Sequence, residues 1–89
     1  YFKNKNVLIM NEFNLSIISL KEILFDGFAA SVSIPGTEGE LTVLKDHIPL
    51  ITLLKAGQIK VKSGNEEHIF NVQKGLLEVN SARTTILVS

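Results

Sequence analysis

Two pairs of residues in this chain have the types that enzymes use for acid–base chemistry. Asp46 and His47 are adjacent, and Glu38 and Glu40 are separated by one glycine, as paired catalytic carboxylates could be. Adjacent residues of an extended chain point to opposite faces, and no nucleophile stands beside Asp46 and His47. A sugar-binding cleft is rich in aromatic rings, whereas aromatic residues make up 7% of this sequence. We therefore predict that neither pair is catalytic and that the chain is not an enzyme.

The sequence also offers little that would bind a metal or a phosphate group. It has no cysteine and two histidines, His47 and His68, so a zinc site would need carboxylate ligands as well. His68 alternates onto one strand face with Phe70 and Val72, which favours a histidine at the core edge or at an interface. The glycines do not precede a helix and a Lys-Ser/Thr pair, as a phosphate-binding loop requires. We expect no metal and no cofactor.

The composition is that of one small domain with a real hydrophobic core. Apolar residues make up 45% of the 89 residues, and the net charge is zero with a pI of about 6.9. A neutral chain with few aromatic rings is not typical of nucleic-acid binders, so we expect no nucleic-acid partner. No apolar run approaches the roughly 18–20 residues that cross a bilayer. We therefore predict a chain with no transmembrane segment that can still dock onto a membrane complex.

Alternating apolar and polar residues predict strands along most of the chain. The clearest case is 58–62, where Ile59 and Val61 alternate with polar residues. A similar pattern covers 28–34, and β-branched residues predict a final strand at 84–88. The strands recur every 8–12 residues or so without an amphipathic helix between them. Such spacing is typical of an antiparallel sandwich or barrel. The predicted fold class is all-β.

Glycine, proline and an Asp-Gly pair predict the turns between these strands. Pro35 fixes its own φ and Gly36 can take a positive φ, so a strand is predicted to end at Ile34, with a polar loop at 37–40. Side chains held on such turns often form contact surfaces. The residues assigned to structural turns are Asp26, Gly27, Pro35, Gly36, Gly57 and Gly75.

Residues 1–12 differ from the rest of the chain. They include a polar run at 3–6, and Met10 stands just before the strand pattern begins. We interpret 1–12 as a flexible N-terminal extension, with Met10 as the natural start, and 13–89 as the β domain, which the resemblance described below implies to be a β-sandwich. An ordered edge strand at 7–10 is the alternative.

Two segments carry more apolar residues than a two-layer sandwich can bury. Apart from Thr52, the run 50–54 is apolar on both alternating faces, and Leu76 and Leu77 are adjacent leucines. Each strand of a sandwich has one inner face, so the surplus predicts contact with another chain. The alternative is cover by a loop of this chain or by a further segment of it.

Five segments of the sequence resemble the epsilon chain of F-type ATP synthase, in the order and at the spacing of that family. The resemblance spans 13–89, and its specificity comes from the series, because no one segment is decisive. The segments read LSIIS at 15–19, FDG at 25–27, PGTEGE at 35–40, VLKDHIPL at 43–50 and GLLEV at 75–79.

This resemblance implies a ten-stranded antiparallel β-sandwich of two five-stranded sheets. It also implies a place in the central rotor stalk, against the gamma chain and beside the ring of membrane c chains. The family's loop facing the c ring, whose polar loops carry cationic side chains, corresponds to Glu38, Gly39 and Glu40. The gamma or stalk interface is expected at His47, Ile48, Pro49, Leu76 and Leu77.

The sequence departs from the family's usual pattern at three places. Lys55-Ala56-Gly57 stands where many members read Lys-Pro-Gly, and Lys74-Gly75 stands where many read Gly-Gly. The family usually continues into a C-terminal helical hairpin, whereas this sequence stops at Ser89. The hairpin carries the family's inhibitory motion and, in some bacteria, ATP binding. Neither is therefore assigned to this chain, and no small-molecule ligand is expected.

The function that the resemblance implies is that of a non-catalytic rotor subunit. It would link the gamma chain to the c ring and so couple proton flow to ATP synthesis. Its implied location is the bacterial inner membrane, peripheral on the cytoplasmic side and held there through the complex. A free-standing small β-barrel that binds a ligand is the alternative. That alternative predicts a closed apolar interior, whereas a stalk subunit predicts an exposed apolar patch.

Overall fold

Nine β-strands form the part of the chain that the structure describes. The structure is a computed structural model that describes residues 11–89, so the interpretation of 1–10 lies outside the described residues. The strands are β1 (Phe13–Ser19), β2 (Ile23–Ala29), β3 (Ser31–Gly36), β4 (Gly39–Leu44), β5 (Leu50–Leu54), β6 (Gly57–Ser63), β7 (Glu66–Val72), β8 (Gly75–Val79) and β9 (Thr84–Val88). The described residues contain no helix, which confirms the all-β prediction.

The strands form two layers that are joined at one corner. One layer has the order β2–β1–β9–β8–β5, and the other has the order β4–β3–β6–β7. The end of β3 connects the layers by pairing with β5 through Gly36 and Leu54. β1 and β9 pair in parallel, whereas the other strand pairs are antiparallel.

Four details of the expected ten-stranded sandwich of two sheets are therefore corrected. The described residues form nine strands, the second layer has four of them, and one strand pair is parallel. Parallel neighbours require a long connection, and β1 and β9 satisfy this requirement because the rest of the domain lies between them. The two layers also share a strand pairing at one corner, so they are not separate sheets.

The predicted turn at Asp26-Gly27 is wrong. Both residues lie within β2 and continue its antiparallel pairing with β1, where Asp26 is opposite Ser16. The Asp26 carboxylate points outwards and accepts a hydrogen bond from Ser16 Oγ at 3.3 Å. A strand with one solvated face accepts an aspartate there without a turn.

The strand is instead interrupted at Ala30, which separates β2 from β3. The Ala30 amide donates a hydrogen bond to the Lys62 carbonyl oxygen of β6 at 2.7 Å, where the chain passes between the layers. The break divides the strand predicted at 28–34 and changes its alternation. Ala29 is buried and Phe28 exposed, the reverse of the faces that the pattern predicted.

The other predicted turn residues lie at strand ends. Pro35 and Gly36 are the last residues of β3, which therefore extends two residues beyond its predicted end. Proline is tolerated there because the Pro35 carbonyl oxygen makes the cross-layer hydrogen bond and no N–H is needed. Gly57 and Gly75 each begin a strand.

Apolar side chains from both layers fill the space between them. Every one of the nine strands contributes at least one buried residue, so the core depends on all of them. No buried side-chain nitrogen or oxygen of the described residues lacks a hydrogen-bond partner. The buried apolar residues are Leu15, Ile17, Ala29, Val32, Ile34, Val43, Leu54, Ile59, Val61, Val72, Leu77, Val79 and Ile86.

Candidate functional site

The predicted c-ring contact residues lie at the tip of the β3–β4 hairpin. Gly36 pairs with Gly39, so Thr37 and Glu38 form a two-residue turn that is tighter than the predicted loop. Gly39 has a φ of 133°, a conformation that side chains rarely adopt, which explains glycine between the two glutamates. We call 37–40 the hairpin tip.

The hairpin tip presents two exposed carboxylates. Glu38 and Glu40 are both exposed, and neither takes part in an ion pair with another described residue. Lys55 and Lys60 line a cleft beside Glu40 without forming such a pair. The tip therefore offers negative charge to an approaching cationic group.

A row of apolar side chains crosses the outer face of the five-stranded layer. Neighbouring strands place these residues opposite one another: Leu53 pairs with Leu76, Leu76 with Leu87, Leu87 with Ile18, and Ile18 with Ile23. All five point away from the core, because the residue beside each one on its strand is buried or faces inwards. We call them the apolar row.

The apolar row borders a shallow apolar groove near the end of the chain. Leu53, Leu76 and Leu87 line this groove together with Leu20, which is 99% exposed. The groove has a volume of about 510 Å³. Exposed apolar side chains that adjoin one another in this way indicate a surface used for protein contact.

The outer face of the four-stranded layer is mainly polar. Ser33 and Thr42 are within hydrogen-bonding distance at 3.0 Å, and Gln58 donates to Asn71 at 3.3 Å. Ile69 is an isolated exposed apolar residue on this face, with a cross-strand neighbour, Lys60, that is charged. The apolar surplus is therefore concentrated on one layer.

The predicted stalk residues His47, Ile48 and Pro49 form the loop between β4 and β5. Asp46 in this loop has a φ of 66°, and the Nδ1 nitrogen of His47 lies 2.8 Å from the Ile48 carbonyl oxygen. His47 is half-buried, while Ile48 and Pro49 are exposed. Because β4 runs from the hairpin tip to this loop, the two predicted contact regions lie at opposite ends of the sandwich, roughly 20 Å apart.

The structure separates the two leucines that were predicted to share an interface. Leu77 is 0% exposed and belongs to the core, so its assignment to the gamma interface is corrected. Adjacent residues of a strand face opposite sides of the sheet, and Leu76 is the one that points outwards. Leu76 lies in the apolar row rather than beside the loop at 47–49.

Sequence reasoning missed three residues of this surface, namely Ile18, Ile23 and Leu87. A signal was present, because Ile18 follows Ile17 and Leu87 follows Ile86, and two adjacent apolar residues of a strand cannot both face the core. What the sequence lacked was the pairing order that places these surplus residues side by side.

The histidines and carboxylates of the described residues do not converge on a metal site. His68 lies at the open edge between the layers, where its ring contacts Phe25 at 5.4 Å and Phe70 at 6.5 Å between centroids. Its Nε2 nitrogen is 3.3 Å from a carboxylate oxygen of Glu66. This is the core edge, one of the two positions that the strand pattern favoured. In addition, no helix long and apolar enough to cross a membrane occurs among residues 11–89.

Comparison with known proteins identifies the family. Residues 12–89 match the β-sandwich domain of the ATP synthase delta/epsilon chain. The chain belongs to this family. It is 39% identical over 80 residues to the ATP synthase epsilon chain of Delftia acidovorans (strain DSM 14801 / SPH-1), an alignment that covers 88% of this chain. The chain spans 57% of the length of that relative.

Chains in two solved structures of mitochondrial ATP synthases share the fold. A chain of the Euglena gracilis mitochondrial ATP synthase, from a structure of the OSCP, F1 and c ring, aligns with a TM-score of 0.81 at 22% identity over 88% of this chain and 51% of its own. A chain of the Tetrahymena thermophila mitochondrial ATP synthase, from a structure of the central stalk and c ring, aligns with a TM-score of 0.72 at 17% identity. That alignment covers 84% of this chain and 61% of the Tetrahymena chain.

Proposed function

We propose that this chain is a non-catalytic subunit of the central stalk of a proton-translocating F-type ATP synthase. In that role it links the gamma chain to the c ring, and the coupling of proton flow to ATP synthesis belongs to the assembly. Membership of the delta/epsilon family supports the proposal. So do structural neighbours that come from ATP synthase assemblies with a c ring.

The observation that carries the proposal is the apolar row. Its members are exposed or half-buried on a layer whose opposite face is already packed against the core. Burying one such side chain against a partner contributes on the order of 1.5–3 kcal/mol at full burial. A subunit that binds a second protein through a fixed face has this arrangement, and we assign the face to the gamma chain.

The hairpin tip is assigned to the c ring. Its two carboxylates are exposed and have no ion-pair partner among the described residues. Because the polar loops of the c chains in this family carry cationic side chains, the charges are complementary. An exposed ion pair is worth only about 0–1 kcal/mol, so the tip orients the subunit more than it anchors it.

The loop containing His47, Ile48 and Pro49 is assigned to the foot of the stalk. Ile48 is exposed, and the loop lines a groove of about 430 Å³ together with Arg83 and Asn80. This groove carries both charges and apolar walls, as contact surfaces at the rim of an interface do. On this proposal the subunit is peripheral to the inner membrane of a bacterium, on its cytoplasmic side, and is held there by its partners.

Co-purification with the gamma chain from the same genome, followed by attachment to the intact c ring, tests the proposal. We expect a stoichiometric complex for the wild-type chain. Leu87→Ser, at the centre of the apolar row, should weaken gamma binding on the order of tenfold or more. Ile69→Ser is the matched control, because Ile69 is 52% exposed and Leu87 47% exposed, but Ile69 lies on the polar layer.

Two outcomes would contradict the proposal. Equal losses of gamma binding in Leu87→Ser and Ile69→Ser would show that the apolar row is not the interface. A folded wild-type chain that binds neither partner would overturn the stalk assignment. Screening that chain for small apolar ligands would then test the free-standing barrel instead.

A further inference from the structure

We propose that the corner where β3, β5 and β6 meet fixes the hairpin tip relative to the apolar row, so that both partner surfaces move as one body. This inference rests on the proposed function and adds positioning roles for Pro35, Gly36 and Gly57. We call these three residues, with Thr37, Leu53 and Lys55, the Pro35 corner.

The hairpin tip depends on β3 for its position. β4 is an edge strand that pairs with β3 alone among the described strands. A two-stranded hairpin is marginally stable by itself, so a tip carried on β3 and β4 alone would swing about the end of β3. Whatever holds the end of β3 therefore sets the position of the tip.

Two backbone hydrogen bonds fasten the end of β3 to the other layer. The Thr37 amide donates to the Leu53 carbonyl oxygen at 3.0 Å, and the Lys55 amide donates to the Pro35 carbonyl oxygen at 2.8 Å. The side chain of Leu53 is a member of the apolar row, while its carbonyl oxygen holds the first residue of the hairpin tip. Leu53 thus belongs to one partner surface through its side chain and holds the other through its backbone.

Two glycines, Gly57 and Gly36, allow neighbouring atoms to approach closely and so complete the corner. A Cβ atom added to Gly57 would lie 2.8 Å from Cβ and 3.0 Å from Cγ of the Pro35 ring. One added to Gly36 would lie 2.8 Å from the Gly39 carbonyl oxygen. The proline ring is rigid and the carbonyl belongs to the backbone, so a larger residue at either glycine must displace the end of β3.

Gly57→Ala tests this inference, because it pushes on the Pro35 ring without touching the hairpin tip or the apolar row. Amide hydrogen exchange at Thr37 and Lys55 reports the corner directly, and we expect it to accelerate on the order of tenfold. Attachment to the c ring should weaken by a similar factor, while binding to the isolated gamma chain stays within about twofold. Gly27→Ala is the control substitution, since its Cβ would meet the Phe25 ring at an ordinary 3.8 Å.

A double variant that exchanges the larger and the smaller residue between positions 35 and 57 tests whether the corner can be restored. Pro35→Gly removes the ring that an alanine at position 57 would strike, so the double variant Pro35→Gly with Gly57→Ala should recover slow exchange at Thr37 and Lys55. Recovery of c-ring attachment in the same double variant supports a positioning role. If Gly57 contributed only to overall stability, Gly57→Ala would lower the unfolding temperature, and the double variant would not recover c-ring attachment.

The outcomes separate this inference from the proposed function. If the wild-type chain binds neither partner, the proposed function fails, whatever the exchange rates at the corner are. If the wild-type chain binds both partners, two results overturn the inference. One is unchanged exchange at Thr37 and Lys55 in Gly57→Ala, and the other is an equal loss of gamma and c-ring binding.

Discussion

Glu38 and Glu40 project from a turn in which the residue between them is conformationally constrained. Gly39, at a φ of 133°, lets the chain reverse within two residues, which places both carboxylates in solvent at the end of the sandwich. Neither carboxylate holds the fold together, because neither is buried or paired with a described residue. What they present to a partner is therefore negative charge at an exposed position.

Reversing both charges tests that role at the residue scale. We expect Glu38→Lys with Glu40→Lys to weaken attachment to the c ring, since cationic side chains would then face cationic loops. This loss of attachment should be smaller at high salt. Exposed charges are already screened within about 8–10 Å at physiological ionic strength, and added salt shortens that distance. Attachment measured at low and high salt would show this difference.

The neutral variant Glu38→Gln with Glu40→Gln is the control, and it should lose less c-ring attachment than the charge-reversed variant. Thermal unfolding of the charge-reversed variant should stay cooperative, with a midpoint close to that of the wild type. A loss of cooperative unfolding would instead show that the two glutamates are structural.

At the scale of the element, β8 shows how one strand serves two purposes. Its burial alternates, with Leu77 and Val79 in the core and Leu76 and Glu78 facing outwards. Pairing with β5 on one side and β9 on the other places Leu76 between Leu53 and Leu87. The strand thus contributes to the core and to the apolar row.

The two neighbouring leucines of β8 form a matched pair for mutation. Leu77→Ala should lower the free energy of unfolding by about 2–5 kcal/mol, because it leaves a cavity among packed side chains. Leu76→Ala should lower it by less than about 1 kcal/mol and should instead weaken binding to the gamma chain. Denaturant unfolding and a gamma-binding assay on both variants would measure the two effects. The reverse ranking of stabilities would contradict the face assignment.

At the scale of the whole molecule, the first and last described strands are neighbours. β1 pairs in parallel with β9, which also pairs with β8, so the five-stranded layer closes only when the end of the domain has folded back onto its beginning. Forming such a contact requires closing a loop that contains most of the chain, and that step is costly in entropy.

This topology predicts slow folding. All-β domains dominated by non-local pairings fold in roughly milliseconds to seconds, and we expect this domain to fall in that range. Stopped-flow refolding would measure the rate. Ile86→Ala should slow folding if the β1–β9 pairing forms early, and should mainly speed unfolding if the pairing forms late. A refolding time in microseconds would contradict the prediction.

The sequence by itself determined the fold class, the approximate positions of most strands and the family. Period-two alternation and regularly spaced turns are local properties, so the strands can be located from the sequence even where the buried face differs, as at Phe28 and Ala29. The surplus of leucine and isoleucine was also readable, because two adjacent apolar residues of a strand cannot both be buried between two layers. The residues of the hairpin tip came from the resemblance and occupy an exposed turn.

The tertiary structure decided which surplus residues become neighbours and which local signals are overridden. Asp26-Gly27 reads as a turn, yet pairing with β1 keeps both residues in a strand, because the hydrogen bonds of a sheet outweigh a weak local preference. Leu77 and Leu76 are equivalent in the sequence, and only the register of β8 assigns one to the core. Two long-range pairings, β1 with β9 and β5 with β8, join Ile18, Ile23, Leu53, Leu76 and Leu87 into one row, since strand order does not follow chain order.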